Sequence, residues 1–397
     1  MSDSLLAFRG EFPILDRTTY LVSNSLGAMP RAVPDRLAEY VDAWAELGVR
    51  AWSQGGWWEM PVAVGNEIAP LIGAGLGEVA MMPNVTIAQS VVLSALEYAP
   101  PRDTIVMTAL DFPSVRYVYD ELATRLGARI RVVESDDGIS IDTARLVEAI
   151  DERTRLVAIS HVLFRSAFVV DVDAVCRRAH EVGALVSLDA FHSVGIMPVD
   201  VKAMGVDFLT GGVLKWLCGG PGACFLYASP TMTERHAPAL TGWMAHARPF
   251  AFEGEMEYAP CGMRWLNGTP AIPALYAALE GPRIVRRAGI ERIRAKSVRQ
   301  TTRLIAMADA RGYAVTAPRD AARRGGTVAL DVPHADEVSQ ALLAQDILVD
   351  YRPGAGIRVA PHFYTSDEEL DRAMSAIDDV LASGSWQRFA ARASAVT

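Results

Sequence analysis

One lysine stands in the stretch DFLTGGVLKWLCGGPGACFLY. Between Asp207 and Glu234, Lys215 is the only charged residue. An unpaired buried ammonium is strongly disfavoured, and burial lowers its pKa. A lysine in such surroundings either carries its tip out to water or is used as an amine. Asp189 closes the apolar run ALVSLDA, and His192 follows three residues later. A carboxylate at the end of a buried strand lies where open α/β sheets bind ligands. Taken singly, each has a plainer reading. Asp189 suits a turn or a helix cap, His192 a hydrogen-bonded loop, and GGPG a turn between two strands.

Taken together, Asp189 and Lys215 match the needs of pyridoxal phosphate. That cofactor requires an amine to form an imine and an acid to keep its ring nitrogen protonated. It also requires an anion site, best made at a helix N-terminus. MMPNVTIAQSVVLSALEYA offers one, with Thr86 at the start of an amphipathic helix after Pro83 and Asn84. A flat partner for the ring is available in TALDFPSVRYVY, where Phe112 follows a strand end. An ordinary capped helix and a core phenylalanine are the competing readings of those two segments.

The elements that must position these residues are legible as alternating strands and helices. TIVMTAL, ARIRVVE, RLVAISHVLF and ALVSLDA read as strands, with DFLTGG and ACFLYA adding two around the lysine. SVRYVYDELATRLG, DTARLVEAID and DVDAVCRRAHEVG read as the intervening helices. Apolar strands separated by amphipathic helices predict an α/β fold with a parallel sheet covered on both faces. After Gly281 the texture changes. PRIVRRAGIERIRAKSVRQTTRLIAMADARG reads as one long helical stretch, followed by short strands and the helices ADEVSQALLAQD and SDEELDRAMSAIDDVLAS. This predicts a smaller C-terminal α/β domain over 283–397, a large domain over 51–282 and an N-terminal segment over 1–50.

Composition narrows the function. The chain has 397 residues, 51% of them hydrophobic, and a net charge of -9, which argues against a dedicated nucleic-acid binder. The start shows no basic region followed by an apolar one, and no apolar run reaches membrane-spanning length. Cys176, Cys218, Cys224 and Cys261 form no C-x-x-C pair, so reduced, buried thiols in the cytoplasm are expected. No zinc spacing is present. Three further stretches invite sharper readings than they support. LIGAGLGEVA is not G-x-G-x-x-G and follows a predicted helix rather than a strand, against a nicotinamide site. The arginine-rich helix from Pro282 to Arg303 reads as a solvated face rather than an RNA surface. QGGWWEM reads as a pocket-lining or interface loop, or as core.

The order of helix N-terminus, aromatic residue, strand-end D-x-x-H and K-W-L-x-G-G-P-G resembles the fold-type I pyridoxal-phosphate enzymes of the class V aminotransferase branch. Within it the chain is similar to kynureninase and its relatives. YLVSNSLGAMPR (Tyr20 to Arg31), LDFPSVRY, LDAFHSVG, GWMAHARPF, RWLNGTP and GIRVAPHFY carry the resemblance. It implies a mostly parallel seven-stranded sheet, and it implies roles. Lys215 would hold the cofactor, Asp189 would pair with the pyridine nitrogen, His192 would support the ring and Phe112 would stack on it. Val85 and Thr86 would contact the phosphate. Trp243 and Asn267 would complete the site from a neighbouring subunit, which implies a homodimer. Arg358, with Ser25 assisting, would clamp the carboxylate of an amino-acid substrate.

The departures bear on the reaction. Kynureninases carry aspartate after FPS, tyrosine before the lysine and commonly serine before the asparagine of RWLN; here these are Val115, Leu214 and Leu266. Loss of polar groups weakens the case for hydrolysis of kynurenine itself and favours a β-lyase that breaks a Cβ–S bond. Aminotransferase and epimerase chemistry stay open, as does a catalytically silent binding module. A desulfurase persulfide mechanism is disfavoured, because the last cysteine, Cys261, precedes the small domain.

Overall fold

The computed structural model describes residues 3–252 and 254–390. Its larger sheet has seven strands: β1 (Val79–Met82), β2 (Thr104–Thr108), β3 (Arg129–Val133), β4 (Thr154–Ser160), β5 (Leu185–Asp189), β6 (Phe208–Gly212) and β7 (Cys224–Ala228). They lie in the order β1-β7-β6-β5-β4-β2-β3. The four pairings from β6 to β3 are parallel, while β6–β7 and β1–β7 are antiparallel. The strand β1 did not emerge from the sequence pattern. Its four residues are all buried, and such a short apolar run carries no periodicity that tells strand from helix.

Helices pack around this sheet. The helix α1 is Val33–Leu47, α2 is Val85–Ser94, α3 is Pro113–Leu126 and α4 is Val172–Glu181. Their ends are set by side chains the sequence displays. Asn84 accepts from the Ile87 N–H and Asp171 from the Ala174 N–H, while Gly127 ends α3 in the left-handed conformation. The parallel arrangement decides the position of the site. Asp189 ends β5 directly beside Thr210 of β6, and Lys215 lies five residues beyond Thr210. Parallel neighbours deliver their carboxyl ends to the same edge, so carboxylate and amine arrive together.

The second sheet is antiparallel and has four strands: β8 (Ala314–Val315), β9 (Val328–Asp331), β10 (Asp350–Arg352) and β11 (Gly356–Val359), in the order β10-β11-β9-β8. It packs its own core, which includes Leu304, Leu330, Val338, Ile357 and Ile377. The long helical stretch expected after Gly281 is two helices, α5 (Glu280–Ala288) and α6 (Ile290–Arg311). Gly289, at φ +83°, separates them with a backbone that other residues rarely adopt. Pro282 lies buried inside the first turns of α5. Several arginines of these helices are engaged in ion pairs: Arg283 with Glu67, Arg287 with Glu11, and Arg303 with Asp371 at 2.6 Å.

The N-terminal segment joins both sheets' surroundings. Thr19–Tyr20 pairs in parallel with Ile347–Leu348, Val22 bridges to Ala360, and Leu21 enters the smaller core. A few residues later the Gly27 N–H donates to the Leu214 carbonyl at 2.7 Å. A Cβ on Gly27 would sit 2.1 Å from the Lys215 carbonyl oxygen, so this approach requires glycine. Among the described residues no helix is long and apolar enough to cross a membrane. All four cysteines are free; three are buried as expected, but Cys261 is exposed, because it sits on a surface turn at φ +55° rather than on an apolar face.

Candidate active site

Lys215 follows β6 and is half-buried. Its Nζ lies 2.6 Å from His192 Nε2, 5.4 Å from the centre of the Phe112 ring and 5.6 Å from that of Phe191. Burial lowers the amine's pKa to about 7; attraction from Asp189 opposes this and repulsion from Arg358 adds to it. His192 is buried and held well below its usual value, first by burial and then by Lys215, so it is a neutral imidazole. With Nε2 facing an N–H donor, its own proton belongs on Nδ1.

Asp189 is buried, and its Oδ1 accepts from the Phe191 N–H at 2.9 Å. Its Oδ2 accepts no hydrogen bond among the described residues. Burial raises the carboxyl to about 6, while the Phe191 hydrogen bond and Lys215 pull the other way. An unused oxygen on a carboxylate lifted toward neutrality suits it to share a proton with a ring nitrogen. Below Asp189 lies a packed polar floor. The Gln89 Nε2–H donates to Thr210 Oγ1 at 2.9 Å, and the Tyr119 hydroxyl donates to Gln89 Oε1 at 2.8 Å. One neighbour was missed by the sequence reading. Asp111 accepts from the Thr108 and Ser160 N–H groups, each at 2.7 Å, tying the ends of β2 and β4 and fixing Phe112 beside them. Its signal was the acid immediately before FPS.

Amine, carboxylate and aromatic rings thus lie at the carboxyl edge of the sheet, and they are the kinds of group that pyridoxal phosphate requires. A pH dependence follows. An amine lowered from 10.5 to about 7 should capture the cofactor's aldehyde about tenfold faster per pH unit up to about pH 7, then level off. The measurement is the capture rate in cofactor-free protein, read by absorbance and by mass after borohydride reduction. A rate still climbing from pH 8 to 10 would contradict the lowered pKa.

Arg358 is 2% exposed and is not a free guanidinium. Its Nε donates to Asp350 Oδ1 at 2.8 Å, its Nη2 donates to Asp350 Oδ2, and its Nη1 donates to the Phe164 carbonyl at 2.6 Å. A guanidinium has five N–H donors, so two remain, one on each terminal nitrogen. That end-on fork is the geometry that receives a carboxylate. Asp350 was not singled out from sequence, since its partner lies on the adjacent strand (Asp350 pairs with Arg358 across β10 and β11). Phe164 connects this corner to Phe112, ring edge to ring face at 5.3 Å.

The other expected residues are dispersed. Val85 and Thr86 open α2, half-buried and exposed respectively, with Asn84 capping the helix. Ser25 is half-buried, and its N–H donates to Val22 O at 2.9 Å. Trp243 packs against Trp58 at 5.2 Å and Phe250 at 5.9 Å, beside the QGGWWEM loop. Asn267 Oδ1 accepts from the Gly268 N–H. Among the described residues neither Trp243 nor Asn267 has a hydrogen bond or ring contact with Lys215, Asp189 or Phe112. Two of the three departures lie in apolar settings. Val115 is in the core with Leu93 and Val118, Leu266 packs with Ala80 and Met244, and Leu214 is half-buried.

Residues 19–368 match the aminotransferase class-V family. The chain is 31% identical over 407 aligned positions to a kynureninase of Burkholderia pseudomallei (strain K96243), covering 98% of this chain and 96% of that protein. It is 32% identical over 398 positions to a kynureninase of Pseudomonas fluorescens, covering 97% and 94%. In fold it is similar to the apo cysteine desulfurase from Thermococcus onnurineus NA1, with TM-score 0.83 and 23% identity over 96% of this chain and 99% of that one. It is also similar to the K223A mutant of C-DES with glycine covalently linked to its PLP cofactor, with TM-score 0.84 and 21% identity over 94% and 99%. The fold is thus fold type I, and with a lysine, a carboxylate and aromatic rings gathered at one sheet edge the chain belongs to the class-V aminotransferase family and is a pyridoxal-phosphate-dependent enzyme.

Proposed function

We propose that this enzyme cleaves a substituent from Cβ of an L-α-amino acid, with C–S β-elimination as the main reaction. When bound, pyridoxal phosphate withdraws electron density from the Cα of the amino acid joined to it. Lys215 is the amine that carries the cofactor and afterwards takes the Cα proton. Asp189 holds a proton at the ring nitrogen, and Phe112 covers the ring. His192 orients the Lys215 amine. Val85 and Thr86 meet the phosphate at the helix start, where backbone N–H groups are unpaired. Arg358 receives the α-carboxylate on its two free protons, with Ser25 beside it. As the Cα proton leaves, the Cβ substituent departs with its bonding electrons.

The observation that carries elimination over hydrolysis is the setting of the Lys215 amine, with the Phe112 and Phe191 rings 5.4 and 5.6 Å away and a leucine, Leu214, preceding it in the chain. The position preceding the lysine has no hydroxyl to place a proton on Cβ once a Cβ–Cγ bond has broken. Kynureninase-like hydrolysis of Cβ–Cγ is the second reading, favoured by 31–32% identity to kynureninases along nearly the whole chain. Trp243 and Asn267, which make no hydrogen bond or ring contact with Lys215 among the described residues, are assigned to the partner's site in a homodimer. An exposed apolar row on α1, Leu37, Val41 and Trp44, supports such an interface. The functional units are the segments 1–50, 51–282 and 283–397, and the free thiols support a cytoplasmic enzyme.

The test is to offer the purified holoenzyme L-kynurenine and a panel of S-substituted L-cysteines. Pyruvate, ammonia and a thiol are expected; anthranilate and alanine would replace the first reading by the second. Conversion of the cofactor to its amine form, or exchange of the α-hydrogen with the side chain intact, would establish an aminotransferase or an epimerase. Absence of all these would leave a silent binding module.

A further inference from the structure

Asn24 is 1% exposed, and neither its Oδ1 nor its Nδ2 has a hydrogen-bond partner among the described residues. Buried polar groups are nearly all paired, so an amide with both ends unused points to a ligand that supplies them. Its position in the chain says which ligand. Two residues earlier, Val22 bridges to Ala360, which lies two residues beyond Arg358, and the Ala360 N–H donates to Leu21 O at 2.7 Å. Three residues later, Gly27 is bonded to the Leu214 carbonyl and pressed against the Lys215 backbone. Asn24 therefore sits in the seam between the strand that presents Arg358 and the loop that presents Lys215. Its neighbour Ser23 is already committed, its hydroxyl 2.7 Å from that of Tyr364.

We propose that Asn24 is a further substrate-binding residue, with its Nδ2–H donating to the α-carboxylate held by Arg358 and its Oδ1 accepting from the α-nitrogen of the same amino acid. An L-α-amino acid carries an acceptor and a donor on one carbon, which matches the two ends of one amide. The assignment rests on the Arg358 reading above and names a residue that discriminates for a free α-carboxylate. Ser25 then has the lesser part, since its neighbour holds the buried amide.

The experiment measures binding of L-alanine and of L-alaninamide, which lacks the carboxylate, to the holoenzyme through the change in cofactor absorbance. Neither probe has a substituent to lose from Cβ. Asn24→Ala is expected to weaken L-alanine binding about tenfold or more, the worth of a hydrogen bond to a charged acceptor, and L-alaninamide binding by less. Asn24→Asp, of the same shape but opposing the carboxylate, is expected to weaken it further. The unfolding midpoint of Asn24→Ala is expected not to fall, because no hydrogen bond of the free protein is lost, whereas a structural amide would lower it. Undiminished L-alanine binding in Asn24→Ala, equal losses for the two probes, or no saturable L-alanine binding by the unaltered enzyme would overturn the assignment. Failure of the cleavage reading looks different: no products from either panel while L-alanine still binds.

Discussion

Lys215→Ala is expected to lower turnover by about 10²–10⁴-fold or more, since one change removes both the amine that carries the cofactor and the group that takes the Cα proton. Reduction with borohydride, followed by mass spectrometry, should place a phosphopyridoxyl group on Lys215 in the unaltered enzyme and nowhere in the variant. A second signature comes from stability. The Lys215 amine is pushed from 10.5 to about 7 by burial, so between those values the unfolded chain binds the extra proton and the folded one does not. Stability of the cofactor-free protein should therefore rise with pH from about 7 to about 10.5. It should level off below that window, where both states are protonated. The variant should lose that slope. Comparable turnover in Lys215→Ala would remove the basis of the proposed reaction.

Asp350→Ala should destabilise the fold by about 3–5 kcal/mol, the usual consequence of stripping the partner from a buried charge. Asp350 is 1% exposed and takes both oxygens to Arg358, and Arg352 lies 3.2 Å from it. Its removal leaves the Arg358 guanidinium buried, with the Phe164 carbonyl as its remaining acceptor. Urea unfolding of cofactor-free protein would measure the loss as a lower midpoint. Because Asp350 also aims the end-on fork, KM for the amino acid should rise more than kcat falls. An unchanged midpoint would mean that the ion pair contributes no net stability. An unchanged KM would mean that Arg358 does not hold the carboxylate.

Much of this is legible in the amino-acid sequence. Continuous apolar runs alternating with amphipathic segments point to a covered, mostly parallel sheet, because strands buried on both faces lose the polar alternation. Six of the seven strands of the large sheet were identified on that basis. The isolation of Lys215 among apolar residues and the position of Asp189 at a strand end were enough to suggest amine and acid chemistry. What the chain order did not reveal is how groups far apart in sequence pair. Asp350 with Arg358, the orphaned amide of Asn24, and the contact of Gly27 with Lys215 depend on strand register and on the N-terminal segment threading between two cores. Periodicity reports which face of an element is apolar and nothing about its neighbours. The helix break at Gly289 was legible only in hindsight, since a lone glycine in a helical pattern is tolerated as often as it terminates one. Sequence thus determined which residue types and elements are present. Tertiary structure decided which of their polar atoms are satisfied within the protein and which are left for a ligand, because that depends on burial and on partners brought from distant parts of the chain.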